Sequence, residues 1–207
     1  MKDFPTGFAA QTTPLDESIF SQADAELISL LKEKGYEVHT GLTTAYADDI
    51  ARMCLEPSIK EYCPNDSGRR FTDRAAAEKW LAKGRVAFLL LKKENNELSL
   101  SGYGWAGVET SPHVPGGEIT FALRVGEAGQ GQGLATPFSR LVIAATATIY
   151  VARNFWLETW ASNGGAVHIY HKLGFVDVDQ TSNDRPTADG QTVADTRLYM
   201  SLANDRL

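Results

Sequence analysis

The chain has 207 residues, 43% of them hydrophobic and 22% charged, a balance that suits one globular domain with an ordinary core and an added arm. Its net charge of −6 argues against a dedicated nucleic-acid binder, which needs a basic face. The two cysteines, Cys54 and Cys63, have no histidine close in sequence to complete a zinc site, and no window reaches the ~18 apolar residues of a membrane span.

Both cysteines read as free thiols, which fits a reducing, cytoplasmic setting. The start, M-K-D-F-P-T-G-F, lacks a charged region followed by an apolar run, so no signal peptide is expected. Residues 1 to about 18 carry Phe4, Pro5, Gly7, Phe8 and Pro14 without periodicity and read as an extended arm docked through its phenylalanines. A helix is expected from Ser21 to Lys34, capped by Ser21, closed by Gly35, and buried through Ala23, Leu27, Leu30 and Leu31. Tyr36–Leu42 reads as a strand, followed by a helix that buries Ile50, Met53 and Cys54. Glu56–Phe71 holds two prolines, Asn65, Asp66 and Gly68 and reads as irregular, with Arg69 and Arg70 as two exposed arginines. Thr72 is expected to cap a helix that ends at Gly84.

Val86–Lys92 is almost continuously apolar, the pattern of a central strand. Asn95 and Asn96 turn it into a partner over Leu98–Val108, whose Trp105 is a candidate wall for an acceptor pocket. Thr110–Gly117 is a loop. Ile119, Phe121, Leu123 and Val125 then alternate as a strand. Gly126, Gly129, Gly131 and Gly133 break it, and Leu134, Phe138, Leu141, Val142, Ala145 and Ile149 resume at helical spacing to about Ala152. Phe155–Ala161 is a strand, Ala166–Leu173 a helix closed by Gly174, and Phe175–Asp179 a strand. Thr181–Gln191 is polar enough to predict a loop before a last strand over Val193–Leu202. The class is α/β with a mixed sheet.

Strand, glycine turn and helix N-terminus together suit a phosphate, because glycine lets backbone approach closely and the first helical N–H groups lack partners. Three nucleotide motifs are excluded. A P-loop needs a lysine after its last glycine, and Leu134 follows Gly133. A dinucleotide turn, G-x-G-x-x-G, would end on Thr136 counted from Gly131, or on Leu134 counted from Gly129. A kinase glycine loop joins two strands, whereas this turn opens a helix.

Two segments, taken together, resemble a known family. Gln130–Gly131–Gln132–Gly133–Leu134–Ala135 follows Val125, and Asn163, Ala166, Tyr170, Lys172, Gly174 and Phe175 follow in order about thirty residues on. The pair is similar to the cofactor motif and second motif of the GNAT superfamily of N-acetyltransferases, over roughly Tyr36 to Leu202. The resemblance implies a mixed, mostly antiparallel, splayed sheet flanked by helices, with acetyl-CoA in the gap between the strands at 118–126 and 155–161 and no metal. It implies a core domain over residues 36–207, with the arm and helix of residues 1–35 outside it, covering a sheet face or serving a homodimer. Pantetheine would pair with Leu123, Arg124 and Val125. Pyrophosphate would take N–H groups of Gln130, Gly131, Gln132, Gly133, Leu134 and Ala135, with Thr136 and Asn163 as further cofactor contacts.

The resemblance further implies that Tyr170 protonates the departing thiolate and that Glu118 deprotonates the amine, with Glu158 as a rival base. Tyr170 also fits plain packing, Asn163 a helix cap, and Glu118 a solvated strand end. Gln130 stands where a basic residue is usual, so the cradle would rest on backbone dipoles. Pro137 would fall late in a helix that began at Gln132. The implied reaction is acetyl transfer to a primary amine, small-molecule or peptide, by direct attack in a ternary complex, without nucleic-acid or membrane partners. A non-catalytic acyl-CoA-binding domain and a protein N-terminal acetyltransferase remain as alternatives.

Overall fold

The structure is a computed structural model and describes residues 8–151 and 154–203. Its strands are β1 (Thr13–Pro14), β2 (Tyr36–Thr40), β3 (Arg85–Glu94), β4 (Glu97–Val108), β5 (Ile119–Val125), β6 (Asn154–Trp160), β7 (Val176–Pro186) and β8 (Thr192–Ala203). Its helices are α1 (Gln22–Glu33), α2 (Thr44–Met53), α3 (Pro57–Tyr62), α4 (Arg74–Leu81), α5 (Ala135–Tyr150) and α6 (Gly164–Lys172). The strands form one sheet in the order β1-β2-β3-β4-β5-β6-β8-β7. Every pairing is antiparallel except β5 with β6. That parallel pairing holds at two positions, Ile119↔Phe155 and Thr120↔Trp156; beyond them the two strands part. The expected splayed mixed sheet is therefore present, with the gap where the resemblance implies it.

Alternation on the strands sorts side chains into two layers. One face carries Val86, Phe88, Leu90, Phe121, Phe155 and Leu157, packed against α1, α5 and α6. The other, here called the front, carries Ala87, Leu89, Leu91, Tyr103 and Trp105 under α2, α3 and α4. Ile28 and Leu31 bring α1 into the first layer, and Phe8 of the arm packs against the second. Phe4, also expected to dock, lies outside the described residues, as does the end of the α5 helix at Ala152.

Several expectations need correction. Helix α1 is rotated from its predicted face: Leu30 is exposed and Ala23 faces solvent, while Ile28 and Leu31 are buried. The cause is Asp24, buried and ion-paired with Arg140 of α5 at 3.0 Å. Glu56–Phe71 is not irregular. Pro57 opens α3, in the first turn where its missing N–H costs nothing, and a π-helical turn runs over Asp66–Arg70. The helix at 74 is capped by Asp73, whose Oδ1 accepts Ala76 N–H at 2.8 Å, not by Thr72. Thr181–Pro186, expected as a loop, continues β7 and pairs with β8 from Arg197 to Thr192; polar side chains suit it because nearly all of this edge strand is exposed. Asn95 and Asn96 turn β3 into β4 with positive φ of 50° and 66°, as their sequence predicts. No helix among the described residues is long and apolar enough to cross a membrane.

Gly102 and Gly104 let β4 lie flat on β5: a Cβ on Gly102 would sit 2.6 Å from Arg124 O, and one on Gly104 2.9 Å from Ala122 O. Gly102→Ala therefore forces the central strands apart and is expected to lower stability by about 2 kcal/mol, read as a lower urea midpoint at unchanged m-value.

Candidate active site

The parting of β5 and β6 leaves backbone uncovered. Carbonyls of Ala122 and Arg124 face β4, where they crowd the two glycines, so by alternation those of Leu123 and Val125 face the gap. Buried carbonyls need donors, and here the chain supplies its own. Arg124 Nη1 donates to Leu123 O at 2.8 Å, and Gln130 Nε2 donates to Val125 O at 3.1 Å and to Ser58 Oγ at 3.0 Å.

Past Val125 the chain makes a 3-10 turn over Glu127–Gly129 and a glycine turn, with φ of +74° at Gly131 and +73° at Gly133. Helix α5 starts at Ala135, not Gln132. Pro137 is then its third residue, where no intrahelical donor is needed, and the expected irregular entry does not arise. No side chain caps this end, so the N–H groups of Ala135 and Thr136 have no partner within the helix. A Cβ on Gly131 would meet nothing within 4 Å, and one on Gly133 only Lys34 Nζ at 3.8 Å. Gln132 is braced by Tyr36 Oη on its Oε1 at 3.1 Å, by its own Nε2 on Ala128 O at 2.7 Å, and by Lys34 Nζ on its carbonyl at 2.9 Å. The turn thus has open space at Gly131 and leads into helix N–H groups without intrahelical partners, next to two strand carbonyls, a chemistry that suits an anionic group joined to an amide-bearing chain.

The other wall is α6. Asn163 caps it, its Oδ1 accepting Ala166 N–H at 3.3 Å. Tyr170 is buried against Phe121 and Phe175, with ring centroids 6.2 and 5.9 Å away. Burial pushes its phenol up to about 12; Arg124 pulls it back and Cys63 adds to the rise. Both Arg124 and Cys63 belong to the front side, so the Tyr170 phenol, rooted in the first layer, is influenced electrostatically by groups of the second.

On the front side a buried polar chain fixes β5. Asp66 Oδ2 lies 3.0 Å from Arg124 Nε in an ion pair without hydrogen-bond alignment. The same carboxylate accepts Tyr103 Oη at 2.8 Å and Arg70 Nη1 at 3.0 Å. Tyr103 Oη in turn meets Cys54 Sγ at 3.1 Å. Burial raises the Tyr103 phenol well above its ordinary value and the Cys54 thiol to about 12. Arg70 is not an exposed arginine: it lies over Trp80 at 4.5 Å and over Trp105 at 5.2 Å. Trp105 is buried edge-on to Trp80 at 5.1 Å and is core, not a pocket wall. Sequence reasoning had no signal for Asp66, whose partners Tyr103 and Arg124 are distant in the chain.

Helix α3 is tied to both sides of the gap. Glu56 Oε2 accepts Glu127 N–H at 2.6 Å while Glu127 Oε1 accepts Ser58 N–H at 3.0 Å. At its other end, Tyr62 Oη donates to Ser162 O at 3.3 Å, and Arg185 of β7 donates to Glu61 and to Asp195 of β8. Two cysteines are free, Cys54 buried and Cys63 half-buried. The sheet's front face beyond the gap carries Trp156, Glu158 and Trp160 on β6. Arg197 of β8 lies over Trp160 at 3.5 Å and 3.9 Å from Glu158. Glu118 sits at the closed end of the gap, its N–H on Asn154 O at 3.1 Å. The structure thus brings Leu123–Val125, Gln130–Thr136 and Tyr170 around one opening, and sets Glu118 apart from it. Among the described residues no group of three His, Cys, Asp or Glu is placed to hold a metal ion. His171 instead pairs with Asp177 at 3.1 Å.

This geometry is that of an acyltransferase fold whose sheet opens between β5 and β6. Residues 40–176 match the model of the acetyltransferase (GNAT) domain, more than half of the chain, and the protein belongs to that family. Solved structures agree on the fold. Spermidine N-acetyltransferase from Vibrio cholerae, solved with CoA and spermine, superposes with a TM-score of 0.67 at 15% identity, covering 84% of this chain and 98% of that one. Ribosomal-protein-S5-alanine acetyltransferase from Vibrio fischeri gives 0.63 at 14% identity, covering 83% and 94%. A structure from Salmonella typhimurium with its cofactor acetyl-CoA gives 0.54 at 19% identity, covering 78% and 88%. No curated protein sequence matches the chain.

Two outcomes follow from the buried chain. Asp66→Ala strands the Arg124 and Arg70 charges and is expected to cost about 3–5 kcal/mol, measured by urea unfolding. The folded state also holds Tyr170 and Cys54 near 12, above their unfolded values of about 10 and 8.5. The native state therefore binds more protons, and this part of the stability is fully present below pH ~8.5 and lost as pH rises toward 12. The unfolding midpoint should fall steadily between pH 9 and 11, and an unchanged midpoint would count against burial of these groups.

Proposed function

We propose that this protein is an acetyl-CoA-dependent N-acetyltransferase that acts on a primary amine, small-molecule or peptide, in a ternary complex. The observation that carries the reading is the run of Leu123 O, Val125 O, the glycine turn and the open end of α5 along one wall of the gap. Amide N–H groups of pantetheine fit the two carbonyls once Arg124 and Gln130 release them, and a pyrophosphate fits the N–H groups of the turn. Asn163, at the cap of the opposite wall, borders the same chain.

In this reading the amine nitrogen forms a bond to the thioester carbonyl carbon, the carbon–sulfur bond breaks, and the thiolate leaves. Tyr170 sits where the strands part and donates a hydrogen bond to that sulfur. A phenol held at about 12 stays protonated through the whole physiological range. Its proton is held more tightly than that of a thiol near 8.5, so it stabilises the developing thiolate by hydrogen bonding more than by full transfer. The amine must first lose a proton to a carboxylate. Continuing the register of Thr120↔Trp156 sets Glu158 level with Ala122, at the mouth of the gap. Glu118 lies four residues behind that level, about 13 Å at the usual rise per residue. The register therefore favours Glu158 as base over Glu118, with the acceptor approaching across the front face of β6 and β8.

Calorimetric titration with acetyl-CoA is the decisive measurement, and absence of binding would falsify the reading. Tyr170→Phe is expected to lower kcat about 100-fold with little change in acetyl-CoA affinity. Glu158→Gln should lose the acidic limb of the kcat/KM profile while Glu118→Gln keeps it; the reverse would return the base to Glu118.

A further inference from the structure

Resting on the reading that a cofactor pyrophosphate lies on the glycine turn, we infer that the cation for it is Lys34, supplied by the end of helix α1 and not by the motif itself. The sequence leaves the cradle without charge, because Gln130 occupies the position where a basic residue is usual. The structure shows what Gln130 does instead: its amide Nε2 donates to Val125 O and to Ser58 Oγ, so its side chain is engaged with β5 and α3 and brings no charge to the turn. Lys34, ninety-eight residues earlier in sequence, fills the role. Its Nζ donates to Gln132 O at 2.9 Å. It also lies 3.8 Å from where a Cβ on Gly133 would be, beside the turn that leads into α5.

Three features separate this lysine from a surface charge that happens to be near. Lys32, Lys92 and Lys93 each pair with a carboxylate, on Glu17, Glu94 and Glu37. Among the described residues Lys34 meets none, and its hydrogen-bond partner is the neutral carbonyl of Gln132, which leaves donors of the ammonium for an anion. The segment that carries it is fixed. Lys34 is the C-cap of α1, Gly35 takes φ +80°, and Tyr36, buried two residues on, hydrogen-bonds the Gln132 side chain. Lys34 and Tyr36 therefore hold the turn from the same side. Finally, residues 34 and 36 fall before residue 40, where the family match begins, so neither belongs to the matched stretch that carries the glycine turn. Helix α1 packs on α5 through the Asp24–Arg140 ion pair, which sets the distance between its C-terminus and the cradle.

The test is equilibrium binding, with CoA and 3′-dephospho-CoA as probes, to the full chain and to Lys34→Gln and Lys34→Arg. Lys34→Gln is expected to weaken both probes about tenfold, the lower range for a charge-assisted hydrogen bond at an exposed site. Lys34→Arg should restore most of the loss. The wild-type dissociation constant should also rise more steeply with salt than that of Lys34→Gln. Equal affinity of Lys34→Gln and wild type for both probes would overturn the inference. So would a loss seen with CoA and absent with 3′-dephospho-CoA, which would move the lysine to the 3′-phosphate. A wild-type chain that binds neither probe would instead remove the acetyl-CoA reading on which the inference rests, so the two failures are distinguishable.

Discussion

The structure depends on a pairing that stops. Two parallel strands at the centre of an eight-stranded sheet bond at two positions and then separate. A sheet gains from every rung of its ladder, and an opened ladder in the protein interior is costly unless its polar groups find partners. The separation is held by side chains on both faces. Phe121, Tyr170 and Phe175 pack together as an aromatic wedge on one side, and Arg124 is anchored to Asp66 on the other. Neither group could take its place if β5 and β6 continued side by side.

The rest of the site follows from that opening. Tyr170, packed in the α5 and α6 layer, feels the Arg124 charge on the other side of the sheet, where no strand pairs with β5 beyond Thr120. Helix α3 needs its double fastening, to the turn at Glu127 and to the hairpin of β7 and β8, because it spans an interval where the sheet offers no continuous floor. The reciprocal bonds between Glu56 and Glu127 N–H, and between Glu127 and Ser58 N–H, link the helix on the front face to the chain that enters the glycine turn. By linkage, a ligand that shifts α3 changes the affinity of the glycine turn by a factor that acts equally in the other direction.

Much of this was legible in the sequence, and for definite reasons. The alternation of Ile119 to Val125, the glycines and the amphipathic run after Leu134 are local signals, and they placed β5, the turn and α5. Asn95–Asn96 marked its hairpin because asparagine tolerates positive φ. What escaped depends on contacts between distant segments. The buried face of α1 is set by Asp24 meeting Arg140, which no periodicity within α1 can report. Arg70 looked exposed and Trp105 looked like a pocket wall, since an arginine beside an irregular stretch and a strand tryptophan carry no mark of the stack they form. The second half of β7, from Thr181 to Pro186, looked like a loop because an exposed edge strand need not be apolar. Pro57 looked like a breaker, when at a first helical position it is a starter. Lys34 read only as the end of a helix, and its neighbour in space lies ninety-eight residues on.

The self-capping of the opened strand has a consequence outside any reaction. A sheet that parts in its middle exposes an interior edge, and an edge with unpaired carbonyls is a template on which another extended chain can add. Arg124 and Gln130 occupy the two carbonyls with donors from long side chains, which can withdraw where a backbone ladder could not. The edge is thus closed to a second copy of the protein during folding and at high concentration, yet stays open to any ligand that carries its own amides and can displace two side chains.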